Sequence, residues 1–138
     1  MHSNAVALDS SVLIEHLRVK RKDTSMLSRL TLAFDELCVS PLVLYEILVG
    51  QTESRLIDTG MIFENLTFLP MEEKVIAKAA TIYQTLRKEN KIIDHFDILI
   101  AATAIAHEIP LATLNRRHFE RIDGLKLFDN TKNHVNPY

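Results

Sequence analysis

The sequence contains few of the residues that mark several specialised protein classes. Its 138 residues include one cysteine (Cys38), no tryptophan, three glycines and four prolines. A single cysteine excludes an internal disulfide and fits a protein of the reducing cytosol. The small amount of glycine and proline excludes a collagen-like or low-complexity chain. What remains is the composition of an ordinary folded domain, with 47% hydrophobic and 25% charged residues.

Long hydrophobic runs and a strong excess of charge are also missing. The longest uncharged run, residues 98–106, is far shorter than the ~20 residues that a membrane-spanning helix needs. The first eleven residues, MHSNAVALDSS, do not join a basic region to a long apolar one. We therefore expect no signal peptide, no membrane span and a cytoplasmic protein. The net charge of −2 counts against a nucleic-acid partner unless basic residues are grouped locally.

The order of apolar runs predicts one α/β domain over residues 1–138, with its core at about 4–128 and a polar, mobile tail at 129–138. Short β-like runs alternate with helical runs, which is typical of a mostly parallel sheet covered by helices. The predicted strands are residues 4–8, 38–40, 67–70, 111–113 and 125–128. Ser10 or Ser11 is predicted to cap a first helix that runs to about Arg18, and further helices are predicted over 24–37, 41–49, 52–65, 71–90 and 94–107, with a short turn from 115.

Three carboxylates lie alone in apolar surroundings. Asp9 closes the first apolar strand, Glu46 is the only charge in PLVLYEILVG, and Asp97 is the only charge in FDILIAATAIA. Burying an isolated carboxylate costs several kcal/mol unless something compensates for it. A hard divalent cation, Mg²⁺ or Mn²⁺, compensates several carboxylates at once, because such ions prefer oxygen ligands. The sequence therefore predicts a cation site.

The neighbouring polar residues extend this prediction. Asn115 follows the predicted strand 111–113, and parallel sheets place ligands at the carboxyl ends of their strands. Asp94 precedes Asp97 by three residues and so shares its helical face. Each residue also has a plain structural interpretation. Asp94 can be a helix N-cap and Asp97 its capping partner, Ser11 can start the first helix, Asn115 can cap the following turn, and Glu46 can be a surface residue.

Four segments, in this order, resemble a PIN domain, and within that family the VapC-type toxins of toxin–antitoxin pairs. They are ALDSSVLIEHL, PLVLYEILVG, IDHFDILIAATAIAHEIPLATLN and RRHFERIDGLKL, and together they span about residues 6–127. The resemblance implies a three-layer α/β/α sandwich with an acidic pocket at the strand ends. It also implies metal-dependent endoribonuclease activity that leaves 5′-phosphate and 3′-hydroxyl ends.

Carried over by motif, the resemblance makes Asp9, Glu46 and Asp97 the catalytic and metal-binding residues. Ser11 stands where the family often has a hydroxyl that orients the first aspartate, and Asn115 stands where it has Asp or Asn. With Asp94, these two residues form the supporting pocket. Leu114 occupies a position where a basic residue is common.

Basic residues are grouped at two places, which allows an RNA partner despite the net negative charge. Arg116 and Arg117 follow Asn115, and the motif places them beside the pocket as RNA-binding residues. The run RVKRK at 18–22 can contribute as well, or can be only a solvated helix end.

The resemblance further implies a homodimer and an antitoxin. The C-terminal segment of that antitoxin would lie across helices near Leu13, Leu17 and Leu44.

Two other classes of protein share some of these features with a nuclease. A phosphoacceptor receiver domain needs adjacent acidic residues after its first strand and a lysine after a late strand, and here Asp9 stands alone and LATLN has no lysine. A catalytically silent PIN domain acting as an RNA- or protein-binding module would have lost a core carboxylate, and all three are present.

Overall fold

The computed structural model describes residues 4–50 and 56–129, which form a four-stranded parallel sheet with seven α-helices. The strands are β1 (Ala5–Leu8), β2 (Glu36–Val39), β3 (Thr67–Phe68) and β4 (Leu111–Ala112). The helices are α1 (Ser10–Arg18), α2 (Met26–Ala33), α3 (Pro41–Val49), α4 (Leu56–Glu64), α5 (Glu73–Lys88), α6 (His95–Ala106) and α7 (Arg116–Phe119), with a 3₁₀ turn at Lys22–Thr24. The α/β class expected from the sequence is confirmed.

Strand β1 lies inside the sheet, whose order is β3-β2-β1-β4. Val6 pairs with Leu37 of β2, and Leu8 pairs with Ala112 of β4. All four residues of β1 are buried, because helices cover both faces of a parallel sheet and its strands become continuous apolar runs. The chain places β2 and β3 on one side of β1 and β4 on the other. The β1–β4 boundary is therefore the point where the strand order reverses, and a crevice forms there at the carboxyl ends.

Helices α5 and α6 form the most extensive helix–helix contact of the domain. In α6 the alanines at 101, 102 and 104 are fully buried, and such small side chains let the helix approach its neighbours closely. The apolar face of α5 is mostly core: Val75, Ala79, Ile82 and Leu86 are buried. Ile76 on the same helix stays 48% exposed, so this face continues to the surface.

The boundaries of α3 follow the signals in its sequence. Ser40 is the N-cap, and its hydroxyl accepts a hydrogen bond from the Leu42 amide at 3.2 Å. Pro41 occupies the first helical position, where its missing N–H costs nothing, and Gly50 follows the last helical residue. These ends confirm the prediction and place Glu46 in the body of the helix.

The prediction of one helix over residues 24–37 is wrong at its C-terminal end. Helix α2 ends at Ala33, and Phe34 is already extended. The Asp35 amide donates to the Asn4 carbonyl at 2.8 Å, and Glu36 pairs with Ala5. Pairing with β1 therefore outweighs the helical pattern, and β2 begins at Glu36 rather than at Cys38. Ser40 caps α3 instead of ending the strand.

The prediction of a final strand over residues 125–128 is also wrong in extent. The structure has one isolated parallel bridge, between Leu111 and Leu127. It is made by two hydrogen bonds of 2.8 Å, from the Leu111 amide to the Lys126 carbonyl and from the Phe128 amide to the Leu111 carbonyl. Because β4 has only two residues, the pairing extends no further.

Two expectations concern parts of the chain that lie outside the described residues. The helix predicted over 52–65 is described only as α4, without residues 52–55. The tail predicted at 129–138 is described only at Asp129.

Two further features of the fold concern the protonation of Cys38 and the length of the helices. Cys38 is buried in β2, and burial raises the pKa of its thiol to about 11, so the thiol stays protonated at neutral pH. Among the described residues, no helix has the length and apolar character to span a membrane.

Candidate active site

The predicted site residues converge at the carboxyl ends of β1 and β4. Asp9 directly follows β1, Thr113 directly follows β4, and the two strands pair side by side. Glu46 reaches this edge from α3 and Asp97 from the first turn of α6. Burial raises the pKa of Glu46, and the charges of Asp9 and Asp97 raise it further, as is expected for carboxylates that lie near one another.

Asp9 is 4% exposed and is held by two hydroxyl groups. Ser11 Oγ and Thr113 Oγ1 each donate a hydrogen bond to Asp9 Oδ2 at 2.8 Å. Asp9 occupies the N-cap position of α1, yet its side chain makes no capping bond. The expectation that Ser10 or Ser11 caps this helix is wrong, because Ser10 is its first residue. Ser11 instead orients Asp9, as the resemblance implied.

The same two hydroxyl groups fix the loop between β4 and α7. Ser11 Oγ accepts a hydrogen bond from the Leu114 amide at 3.0 Å, and Thr113 Oγ1 accepts one from the Asn115 amide at 2.9 Å. Each hydroxyl therefore donates to Asp9 and accepts from the loop backbone. This network fixes the loop that carries Asn115 relative to Asp9.

Glu46 is partly buried and poorly compensated. Its Oε1 atom is buried and has no hydrogen-bond partner among the described residues. Burial raises the pKa of Glu46, the charges of Asp9, Asp97 and Asp94 raise it further, and a hydrogen bond from the Ser10 hydroxyl acts in the opposite direction. The interpretation of Glu46 as an ordinary surface residue is therefore wrong. Near neutral pH this carboxylate is more basic than a solvated glutamate.

Asp97 contacts a histidine that the sequence did not single out. His118 Nδ1 lies 3.3 Å from Asp97 Oδ2 and 2.9 Å from Asn115 Nδ2. Burial raises the pKa of Asp97, the Asp9 charge raises it further, and the hydrogen bond with His118 lowers it. Asn115 makes no side-chain capping bond to α7, so its cap interpretation is not supported. These two contacts of His118 were not predicted from the sequence.

Asp94 is the N-cap of α6, as its structural interpretation predicted. Its Oδ2 atom accepts a hydrogen bond from the Phe96 amide at 3.0 Å. Its charge still reaches the pocket, because it raises the pKa of both Glu46 and Asp97. Asp94 therefore supports the site from the start of the helix that carries Asp97.

Asparagine caps helices about as well as aspartate but carries no charge. We expect Asp94→Asn to keep the stability of the protein and Asp94→Ala to lower it by about 1 kcal/mol, measured by urea unfolding. If both variants lose the same stability, capping is not the role of this carboxylate. The Asn variant also isolates the charge, so its cleavage rate reports what that charge contributes to the pocket.

The donor set of this pocket fits a hard divalent cation. Its side chains offer carboxylate, amide and hydroxyl oxygens, which Mg²⁺ and Mn²⁺ prefer. Within the described ranges, no hydrogen bond reaches Oδ1 of Asp9 or Oδ1 of Asp97, and Glu46 Oε1 is unpaired. Across residues 4–50 and 56–129, no three Asp, Glu, His or Cys side chains are already spaced as a ligand cluster.

The two arginines predicted to contact RNA differ in their surroundings. Arg116 donates to the Phe128 carbonyl at 2.8 Å and lies 3.7 Å from Glu120, so its guanidinium is occupied by the protein. Arg117 is exposed, and the structure gives it no ion pair among the described residues. In the run 18–22, Lys22 donates to the His16 and Leu17 carbonyls at the end of α1. That contact supports the interpretation of this run as a helix end.

The leucines that the sequence analysis placed near the antitoxin are mostly buried. Leu13 and Leu17 are 1% and 9% exposed and belong to the core, and Leu44 is half-buried. Helix α1, which carries Leu13 and Leu17, packs against α2 and α3. The location of an antitoxin near these helices stays a prediction, and its contacts there would be with exposed neighbours of Leu13 and Leu17.

Comparison with known protein families identifies the family to which this chain belongs. The PIN domain family model matches residues 6–125, which is most of the chain. The protein therefore belongs to the PIN domain family.

Two curated relatives show similarity over almost the whole chain. "Ribonuclease VapC1" of Methanocaldococcus jannaschii is 32% identical over 130 residues, which cover 90% of this chain and 87% of the relative. "Ribonuclease VapC19" of Mycobacterium tuberculosis is 30% identical over 119 residues, which cover 86% of this chain and 95% of the relative.

Solved structures with the same fold come from toxin–antitoxin complexes. DNA-bound VapBC from Salmonella typhimurium superposes with a TM-score of 0.81 at 23% identity, covering 91% of this chain and 97% of the other. VapBC-1 from nontypeable Haemophilus influenzae superposes with a TM-score of 0.79 at 22% identity, covering 92% and 98%. These similarities confirm the PIN-like α/β/α sandwich.

Proposed function

We propose that this protein is a divalent-metal-dependent endoribonuclease and the toxin of a toxin–antitoxin pair. One observation carries the proposal: three carboxylates, one after β1, one on α3 and one on α6, lie at the same edge of the sheet, and each has an oxygen that receives no hydrogen bond from a described residue. A structural role does not explain such an arrangement, since unpaired buried carboxylates lower stability. The names of the curated relatives, ribonucleases of the VapC type, support the same activity.

In the proposed mechanism, Asp9 and Asp97 hold Mg²⁺ or Mn²⁺. Such an ion, when bound, would supply positive charge near the scissile phosphate and would favour deprotonation of the attacking water. Ser11 and Thr113 keep Asp9 in place, because both donate to its Oδ2. Asn115 follows in the same fixed loop.

Glu46 is proposed to accept the proton of the attacking water, because its raised pKa makes it a suitable base. The water oxygen then forms a new bond to phosphorus, and the bond between phosphorus and the 3′-oxygen breaks. The 3′-oxygen takes a proton from solvent. The products are a 5′-phosphate and a 3′-hydroxyl.

The test is cleavage of total RNA by purified, antitoxin-free protein with Mg²⁺ or Mn²⁺, with EDTA, and with the Asp97→Asn variant. Discrete cuts that disappear with EDTA and in the variant are the expected result. No cleavage with either metal, together with no metal-induced rise in Tm, would overturn the nuclease and favour a silent PIN domain that only binds RNA or protein.

Replacement of Glu46 by glutamine should raise the Tm of the metal-free protein at pH 7.5 by a few degrees, on the order expected for relief of one unfavourable interaction. The folded-state pKa of Glu46 lies above its unfolded value. Its ionised form therefore destabilises the fold above the folded pKa, and the penalty disappears as the pH falls below the unfolded pKa. The gain should accordingly shrink in acid.

Glu108→Gln is the control for this measurement, because Glu108 is exposed in the connection between α6 and β4. We expect no comparable rise in Tm from it. An equal gain in both variants, or a gain that persists at acid pH, contradicts the electrostatic explanation. Glu46→Gln should also lose cleavage, so stability and activity move in opposite directions.

Arg117 is proposed to contact the RNA backbone beside the pocket. Arg117→Ala should weaken RNA binding and reduce the slope of log affinity against log salt by about one, the effect of one lost phosphate contact. Lys74→Ala is the matched control, because Lys74 lies in the first turn of α5, at the end remote from the start of α6. An unchanged slope in Arg117→Ala would show that this arginine does not contact phosphate. Arg116→Ala should change the slope less, since Arg116 is already occupied.

The antitoxin is proposed to cover an apolar groove of about 740 Å³ beside α2 and α4. Its apolar lining includes Leu27, Phe34, Leu37, Met61 and Ile62. Structures with this fold were solved as VapBC complexes, which supports an antitoxin partner. A homodimer is also proposed, and the exposed apolar side chains of Ile76 and Ile92 are candidates for its contact.

A further inference from the structure

His118 has one atom that contacts two residues of the pocket. Its Nδ1 lies 3.3 Å from Asp97 Oδ2 and 2.9 Å from Asn115 Nδ2. The side chain of Asp97 is 17% exposed and that of His118 is 44% exposed, so the contact forms at the rim of the pocket rather than in the core.

The two contacts require different protonation states of Nδ1. The Asp97 carboxylate only accepts hydrogen bonds, so it needs Nδ1 to carry a hydrogen, whereas Asn115 Nδ2 only donates and needs the Nδ1 lone pair. A single nitrogen cannot satisfy both at once. It can serve either partner, and both remain within its reach.

We propose that His118 is a positioning residue, which through Nδ1 holds either the Asp97 carboxylate or the Asn115 side chain and thereby sets the orientation in which Asp97 faces the pocket. Asp97 Oδ2 contacts the ring, and no other described hydrogen bond reaches this carboxylate. Oδ1 is thereby left for a ligand. This inference rests on the proposed function, because it concerns how the same pocket holds its cation.

The alternative is that His118 only stabilises the short helix α7. That helix has other attachments. Phe119 is fully buried, and Arg116 donates to the Phe128 carbonyl at 2.8 Å. Because these contacts already fix α7, the orientation of His118 toward Asp97 is not required for the position of the helix.

Three substitutions distinguish a role of Nδ1 from a role of the rest of the His118 side chain. In H118N the amide group sits at the position of Nδ1 and can present either N–H or oxygen. In H118Q the polar group lies one bond further out, near the position of Nε2. In H118A no polar group remains.

The experiment measures Mn²⁺ affinity by electron paramagnetic resonance of free Mn²⁺, with RNA cleavage recorded in parallel. Loss of a hydrogen-bond partner behind a metal ligand typically costs about 10–100-fold in affinity or activity. We expect H118A and H118Q to bind Mn²⁺ on the order of tenfold more weakly, and H118N to stay near the wild type. Equal affinity in all three variants, or an equal loss in all three, would overturn the assignment to Nδ1.

A second measurement does not depend on the metal. The ¹⁵N order parameter of the Asn115 side-chain amide reports its motion on the picosecond to nanosecond scale. It should fall in metal-free H118A and H118Q and be retained in H118N. If H118A lowers stability, the comparison of H118N with H118Q still decides, because both keep a polar side chain.

The two measurements also distinguish this inference from the proposed function. A wild-type protein that neither binds Mn²⁺ nor cleaves RNA contradicts the nuclease, whatever the order parameters show. A wild-type protein that does both, with no difference between H118N and H118Q in affinity or order, contradicts only the role of His118.

Discussion

Replacement of Asp97 by asparagine is expected to lower RNA cleavage by at least about a hundredfold while the protein stays folded. The substitution removes the negative charge that is proposed to hold the cation but keeps the size and shape of the side chain. Burial and the Asp9 charge raise the pKa of Asp97, so the ionised form already destabilises the fold and its loss should not lower Tm. Single-turnover cleavage and thermal unfolding of the same preparation measure both effects.

Asp123→Asn is the control, because it makes the same chemical change at an exposed residue near Gly124. It should cleave RNA like the wild type. Asp9→Asn should lose activity as Asp97→Asn does, and an asparagine oxygen can still accept hydrogen bonds from Ser11 and Thr113. Retained cleavage in Asp97→Asn, or an equal loss in the control, would remove Asp97 from the catalytic set.

The parts of the fold that the sequence predicted are those where local pattern and tertiary packing agree. The uninterrupted run AVAL became the buried strand β1 because parallel strands need apolar residues on both faces. Ser40, Pro41 and Gly50 marked the ends of α3 because each acts locally, Ser40 through its hydroxyl and the other two through their backbone. The elements that were predicted wrongly depend on pairing between residues far apart in the sequence. Glu36 pairs with Ala5, and Leu127 pairs with Leu111. The periodicity of a local segment does not predict such pairs.

The same distinction applies to the candidate site: some of its residues could be predicted from the local sequence, and others depend on tertiary pairing. Asp9, Glu46 and Asp97 could be predicted because a lone carboxylate in an apolar segment is costly and therefore informative. Thr113 and His118 were not predicted, since a threonine at a strand end and a histidine on a short helix are common and carry no energetic cost that draws attention to them. Their roles depend on the pairing of β1 with β4, which brings Thr113 to Asp9. A sequence signal did exist for His118, which lies three residues after Asn115 and therefore on the same side of a helical turn.

Phe119→Ala is expected to cost about 3–5 kcal/mol of unfolding free energy. Phe119 is 0% exposed and is among the largest fully buried side chains of the domain. Removing its ring leaves a cavity that the surrounding core fills only in part. Because natural domains have only about 5–15 kcal/mol in total, this one change should remove a large share of the stability. Urea unfolding measures it as a lower midpoint with an unchanged slope.

Phe68→Ala is the matched control, since Phe68 is 42% exposed and stacks on Phe63 at the edge of the sheet. It should cost about 1 kcal/mol. The two variants also differ in their effect on the site, because Phe119 anchors the helix that carries His118. At temperatures where both variants are folded, Mn²⁺ affinity should fall in Phe119→Ala and stay unchanged in Phe68→Ala. If Phe119→Ala loses stability but keeps the affinity of the wild type, the pocket does not depend on the anchoring of α7, and the loop bonded by Ser11 and Thr113 is sufficient to hold it.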